Sequence, residues 1–146
     1  MGCPFCDPNV IKEQTFFESE NFYCFYNIRP LFPGHSLIIP KKHFKSFLEL
    51  EDSTAKEFIR VLKKISKTLV KVYKATGMDL AIQDGKDAGA SVEHFHIHLI
   101  PRKKGDIEGD ATGWFGKIID DEIKIKTISE KEVKENIDLI KRHLSD

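Results

Sequence analysis

The sequence lacks an excess of charge of either sign. Its 23 Lys and Arg balance 23 Asp and Glu, for a formal net charge of zero. A protein that coats nucleic acid draws its affinity from neutralising many phosphates and needs a basic surplus. Neutrality argues against that class, although a small phosphate ligand needs only local donors and dipoles. No run approaches the ~18 apolar residues of a membrane span. The opening residues, Met1-Gly2-Cys3-Pro4-Phe5-Cys6-Asp7, show neither the basic and apolar regions of a signal peptide nor the Ser/Thr of a myristoylation site. Cysteine is scarce. Cys3, Cys6 and Cys24 are an odd set with one close C-x-x-C pair, which is a poor disulfide framework. In a reducing compartment such a pair reads as a metal knuckle or a redox pair. Low-complexity tracts, internal repeats and long linkers are also missing. With 146 residues, the expectation is one soluble, cytoplasmic domain spanning 1–146.

What is present is a 40% hydrophobic fraction, enough for a core. Residues 15–18 and 22–27 are short β-like runs around a Ser-Glu-Asn turn and read as a hairpin. A Pro/Gly loop follows over 29–34, then a strand over 35–39 stopped by Pro40. The strongest helix starts near Asp52 or Ser53 and ends before Gly77. Within it Phe58, Leu62, Ile65, Leu69 and Val72 form one apolar stripe at helical spacing. Residues 78–83 read as a strand, 84–90 as a loop, and 92–100 as a strand ended by Pro101. The Gly-rich stretch 103–120 reads as a mobile segment and 121–127 as a further strand. Ser129-Glu130-Lys131-Glu132 is a capping box that opens a C-terminal helix over 129–145. Strands, a long helix, strands and a final helix predict an α+β fold with a mainly antiparallel sheet.

The chemistry concentrates in Ser91-Val92-Glu93-His94-Phe95-His96-Ile97-His98-Leu99-Ile100-Pro101-Arg102. On an extended chain His94, His96 and His98 share one face, and Phe95, Ile97 and Leu99 share the other. Three imidazoles at this spacing suit either a three-His zinc site with an open water position or nucleophilic catalysis. In the second case one His attacks and its neighbours orient it and bind developing charge.

This His-x-His-x-His pattern resembles the signature of the histidine triad superfamily. Gln83-Asp84-Gly85, Ala88-Gly89, Ser91-Val92 and Pro101-Arg102 resemble its fragile-histidine-triad branch of dinucleoside polyphosphate hydrolases. Asn27, Pro30, Pro33-Gly34-His35 and Leu37-Ile38-Ile39-Pro40 match in order and spacing. The resemblance implies that His96 is the nucleophile, oriented by the backbone carbonyl of His94, and that a nucleotidyl-histidine forms and is cleaved by water. It implies that His98 donates to phosphate oxygens and that His35 supports the triad. Gly89, Ala90 and Ser91 would offer backbone N–H groups, Ser91 its hydroxyl, and Gln83 a donor to the leaving group. Asn27 would contact ribose, with Phe25, Ile28 and Leu37 forming either a base pocket or ordinary core. The partners implied are a small nucleotide substrate, Mg²⁺ arriving with it, and a second copy of the chain in a homodimer, with no nucleic acid or membrane. Alternative activities within the superfamily are phosphoramidate cleavage and nucleotidyl transfer, or slow-turnover nucleotide sensing.

Cys3-Pro4-Phe5-Cys6 has zinc-knuckle spacing and needs two further ligands. The resemblance to zinc-containing members of the superfamily supplies them as His43 and His94. A Cys3, Cys6, His43 and His94 set over the 1–14 N-terminus would be closed and structural. No βαβ pattern follows the knuckle, which weakens the redox reading. Cys24 reads as a core residue, His143 as a surface side chain, and Trp114 as packing or a stacking platform.

Overall fold

The computed structural model describes residues 2–107 and 126–144. After a short 3₁₀ turn at Pro4–Cys6, helix α1 covers Pro8–Gln14. Strands β1 (Thr15–Glu18), β2 (Phe22–Tyr26) and β3 (Ser36–Pro40) precede the long helix α2 (Asp52–Tyr73). Strands β4 (Gly77–Ile82) and β5 (Ile97–Arg102) follow, and helix α3 (Glu130–Leu144) closes the described chain. The strands form one antiparallel sheet in the order β1-β2-β3-β5-β4. The α+β expectation with a mainly antiparallel sheet is borne out.

Period-two alternation sorts the sheet into two faces. Phe22, Cys24 and Tyr26 of β2, Ile38 of β3 and Ile97 and Leu99 of β5 pack with Phe58, Ile65 and Leu69 of α2 and Val133, Ile137 and Ile140 of α3. The intervening residues Phe25, Leu37 and Ile39 face the other way, against Phe5, Val10 and Ile11 of the N-terminal segment. Phe95 joins the first face. The histidines between these apolar residues are thereby left to the second face, where Leu37 and His98 are register partners.

The elements differ from the sequence expectation at helix α1, at the α2–β4 junction and at both ends of β5. Helix α1 was not expected, although its signal is present: Asp7 caps it by accepting from the Asn9 N–H at 2.9 Å, and Pro8 opens it. Helix α2 ends at Tyr73, and Lys74 takes the left-handed cap at φ 54°. Gly77 instead opens β4 opposite Arg102. Strand β5 begins only at Ile97, because the preceding residues bond elsewhere, as in the Phe95 N–H to Phe44 carbonyl contact at 2.7 Å. It continues through Pro101, since the β3 ladder reaches only to Leu99 and the ring faces an unpaired edge. The C-terminal capping box forms, with Ser129 Oγ accepting from the Glu132 N–H at 3.1 Å. The expected strand 121–127 and segment 103–120 fall largely outside the described residues, as does Trp114.

Candidate active site

Each imidazole of the triad has a distinct set of partners. The His96 Nδ1–H donates to the backbone carbonyl of His94 at 2.8 Å. This fixes the tautomer and leaves the Nε2 lone pair unprotonated. Burial holds the His96 imidazole below its ordinary pKa, with the bond to the His94 carbonyl partly opposing the shift. The ring is therefore neutral at neutral pH. The ring of Phe5 meets it edge-on at 5.0 Å between centroids.

The proton on His98 is placed by a chain that starts in the backbone. The Leu31 N–H donates to His35 Nδ1 at 3.1 Å. His35 must then carry its proton on Nε2, which lies 2.9 Å from His98 Nδ1. With Nδ1 accepting, His98 carries its own proton on Nε2, directed away from His35. Burial first, and then the neighbouring His98 and His96, push His35 down to about 3. Burial and then His96 push His98 down to about 4. Both rings are neutral, so the relay has one polarity. Asn27 Oδ1 accepts from the Arg29 N–H at 2.9 Å and its amide nitrogen stands 3.4 Å from His35.

These groups border a cleft of about 370 Å³ lined by Phe5, Val10, Gln14, Asn27, Ile28, Leu37, Ser91, His96 and His98, among others. Phe25 is fully buried behind it. The N–H of Gly89 bonds to the Lys86 carbonyl at 3.0 Å and that of Ala90 to the Gly85 carbonyl at 3.2 Å. Of the three residues in that turn, Ser91 is the one that lines the cleft. Gly89 sits at φ 99°, and a Cβ there would lie 2.7 Å from Gln83 Nε2. Glycine is what lets the Gln83 amide rest against the turn, and Gln83 is outside the cleft lining. Arg102 bonds Asp106 and Asp79 at 2.7 and 2.8 Å and stacks over Phe32. It is a clamp on the fold and does not line the cleft. Phe5, Val10 and Gln14 were missed in the sequence reading; the first lies inside the C-x-x-C knuckle and the others on the capped helix α1.

The other nitrogen of His94 faces a second constellation. His94 Nδ1 lies 3.4 Å from Cys3 Sγ and 3.5 Å from Cys6 Sγ, and His43 Nδ1 lies 3.4 Å from Cys6 Sγ. All four ligand atoms fall within 4.8 Å of one another. Tetrahedral zinc with bonds of about 2.3 Å to sulfur and about 2.0–2.1 Å to nitrogen requires sulfur–nitrogen edges of about 3.5 Å. The donor chemistry also fits, because His94 Nε2–H is held by the Pro40 carbonyl at 2.8 Å, freeing Nδ1 as a ligand. This group can bind a metal. His94 does not join His96 and His98 on one ion, since its Nε2 is held by the Pro40 carbonyl and its Nδ1 faces Cys3 and Cys6. Cys24 is a buried thiol, pushed well up by burial. His143 Nδ1 lies 2.9 Å from the Leu139 carbonyl of its own helix.

Residues 9–105 match the model of the HIT domain family. The bis(5'-adenosyl)-triphosphatase of Saccharomyces cerevisiae is 38% identical over 104 residues, covering 69% of this chain and 50% of that protein. The asymmetrical bis(5'-nucleosyl)-tetraphosphatase of Schizosaccharomyces pombe is 35% identical over 96 residues, covering 66% of this chain and 53% of that one. The chain thus spans about half the length of these curated relatives. A zinc-bound histidine triad family protein from Mycobacterium smegmatis superposes with a TM-score of 0.72 at 27% identity, covering 99% of this chain and 94% of that one.

Proposed function

The chain belongs to the HIT domain family, and from that premise we propose that it hydrolyses dinucleoside polyphosphates at the α-phosphate through a nucleotidyl group carried on His96. The observation that carries this reading is the division of labour between the imidazoles: His96 presents a bare Nε2, and His98 presents an Nε2–H.

In the first step His96 Nε2 forms a bond to the α-phosphorus as the bond to the polyphosphate leaving oxygen breaks. Charge on the phosphoryl oxygens is met by the His98 Nε2–H, whose proton is placed before substrate arrives, and by the Ser91 hydroxyl. The positive imidazolium so formed keeps its Nδ1–H on the His94 carbonyl. In the second step water attacks phosphorus, the P–N bond breaks, and His96 is restored as nucleoside monophosphate leaves with a proton released to solvent. Splitting one displacement into two eases each. Asn27 lines the same cleft as His96 and His98 and is assigned to the ribose in this reading.

A zinc ion held by Cys3, Cys6, His43 and His94 would have four protein ligands, so it supplies a cross-link and leaves no water position. It would pin His94, whose carbonyl aims the nucleophile. Two thiols kept for a metal fit a reducing compartment such as the cytoplasm. Among the described residues no helix is long and apolar enough to cross a membrane. Mg²⁺ is proposed to arrive on the polyphosphate. A homodimer is supported by β4, an edge strand with Leu80 and Ile82 exposed at 49% and 40%.

The test is to mix the protein with diadenosine tetraphosphate, quench without acid and map adducts by mass spectrometry. The expected result is an AMP moiety on the peptide containing His96, AMP among the products, and neither with His96→Ala. Undiminished hydrolysis by His96→Ala, or tight AMP binding without any turnover by the wild type, would overturn the proposal.

A further inference from the structure

The cleft contains a buried polar side chain that the reaction does not use. Gln14 is the last residue of α1 and is 9% exposed, yet it lines the histidine cleft. Among the described residues no side chain or backbone group satisfies its carboxamide, and neither amide atom belongs with Ser66 Oγ, the fully enclosed atom that lacks a partner. Gln14 borders two open spaces, the histidine cleft and a groove between α1 and α3 lined by Lys12, Val133 and Ile137. The amide has no protein partner and keeps access to open space, so its donor and acceptor are free for a bound molecule.

Its position within the cleft indicates what that molecule presents. Phosphate chemistry belongs at the end formed by His96, His98 and Ser91. The rest of the lining mixes the polar Asn27, Arg29 and His35 with apolar side chains, among them Phe5, Val10 and Leu37 of the second hydrophobic cluster. These apolar side chains suit the flat face of a base and offer nothing to its heteroatoms. Gln14 shares helix α1 with Val10 and is a polar group bordering them whose amide has no protein partner. A carboxamide sets one acceptor beside one donor, which matches the N6–H and N7 (or N1) edge of adenine in a bidentate pair.

We propose that Gln14 is a specificity-determining residue, whose carboxamide reads the amino edge of an adenine base seated against Phe5, Val10 and Leu37. The inference rests on the nucleotide reading above and adds a base preference to it. The Gln14 oxygen accepts from N6–H while its N–H donates to the ring nitrogen. A base without the exocyclic amine leaves the oxygen buried and unpaired, which is how a polar site rejects an analogue.

The experiment is calorimetric titration of the full chain with AMP and with purine riboside 5'-monophosphate, which lacks only the amine. Wild type is expected to bind AMP about tenfold more tightly, the effect of one buried hydrogen bond. Gln14→Met, of equal length and good helix propensity, is expected to bring the ratio to about one. Gln14→Glu keeps an acceptor for N6–H and is expected to retain part of the preference. Thermal unfolding of both variants checks that each is folded. A wild-type ratio near one, or a ratio unchanged in Gln14→Met, would overturn the inference. Hydrolysis of diadenosine tetraphosphate measured alongside separates the two levels. If turnover is intact while Gln14→Met keeps its preference, the base-reading role alone fails. If the wild type neither binds AMP nor turns over, the function itself fails and this inference with it.

Discussion

Acid is expected to destabilise the protein through the His35–His98 relay, and the size of the effect follows from the site. Burial and neighbouring imidazoles hold His35 at about 3 and His98 at about 4, against an ordinary histidine value of 6.5. The folded-state values are depressed, so the unfolded chain takes up these protons first as pH falls. Stability from the pair is complete above pH ~6.5, is lost as pH drops through 6.5 towards 4, and levels off below the folded values. At pH 5 each group costs about 2 kcal/mol relative to pH 8, and the two together about 4 kcal/mol. That is a large share of the roughly 5–15 kcal/mol of a typical domain. Urea unfolding followed by far-ultraviolet circular dichroism at pH 7.5, 6 and 5 measures it. Between pH 6 and 5 the contribution of this pair to the slope should approach two protons, about 2.7 kcal/mol per pH unit, added to whatever the other buried imidazoles contribute. The His35→Asn variant removes one titrating group and should lose about one proton of slope, which separates the relay from acid effects at the cysteines. A fall of less than about 1 kcal/mol between pH 7.5 and 5, or an identical slope in His35→Asn, would refute the reasoning.

The metal group makes its own prediction. Metal analysis of purified protein should find about one zinc per chain, and Cys6→Ser should lower this to near zero and reduce the melting temperature. Full zinc retention by Cys6→Ser would count against the four-ligand site. Gly34 tests the packing that positions His35. It sits at φ +93°, and a Cβ there would lie 2.7 Å from the Tyr73 ring and 2.8 Å from Pro101 Cγ. Gly34→Ala should therefore cost about 3 kcal/mol from combined strain and overpacking, read by urea unfolding. A loss below about 1 kcal/mol would mean that the loop relaxes easily.

Much of this protein is legible in local chemistry. The alternation of His94, His96 and His98 with Phe95, Ile97 and Leu99 determines the two faces, because neighbouring side chains on an extended chain point oppositely. The stripe on α2 and the capping box at Ser129 likewise follow from spacing that any helix imposes. Even Cys3 and Cys6 announce a ligand pair. Other features depend on chain segments distant in sequence. Helix α1 is short, and its apolar residues gain meaning only when Val10 and Ile11 meet Phe25 and Leu37 of the sheet. Helix α2 ends at Tyr73 with Lys74 in the left-handed cap, and Gly77, the residue that reads as the cap in the sequence, opens β4 opposite Arg102. The site itself is a product of tertiary contact. Sequence placed three imidazoles on one face, but it took the Leu31 N–H, His35 and the His94 carbonyl to decide which nitrogen of each ring carries the proton. A residue type fixes what chemistry is available, and the partners brought from elsewhere in the chain fix the tautomer, the charge and the direction in which that chemistry points.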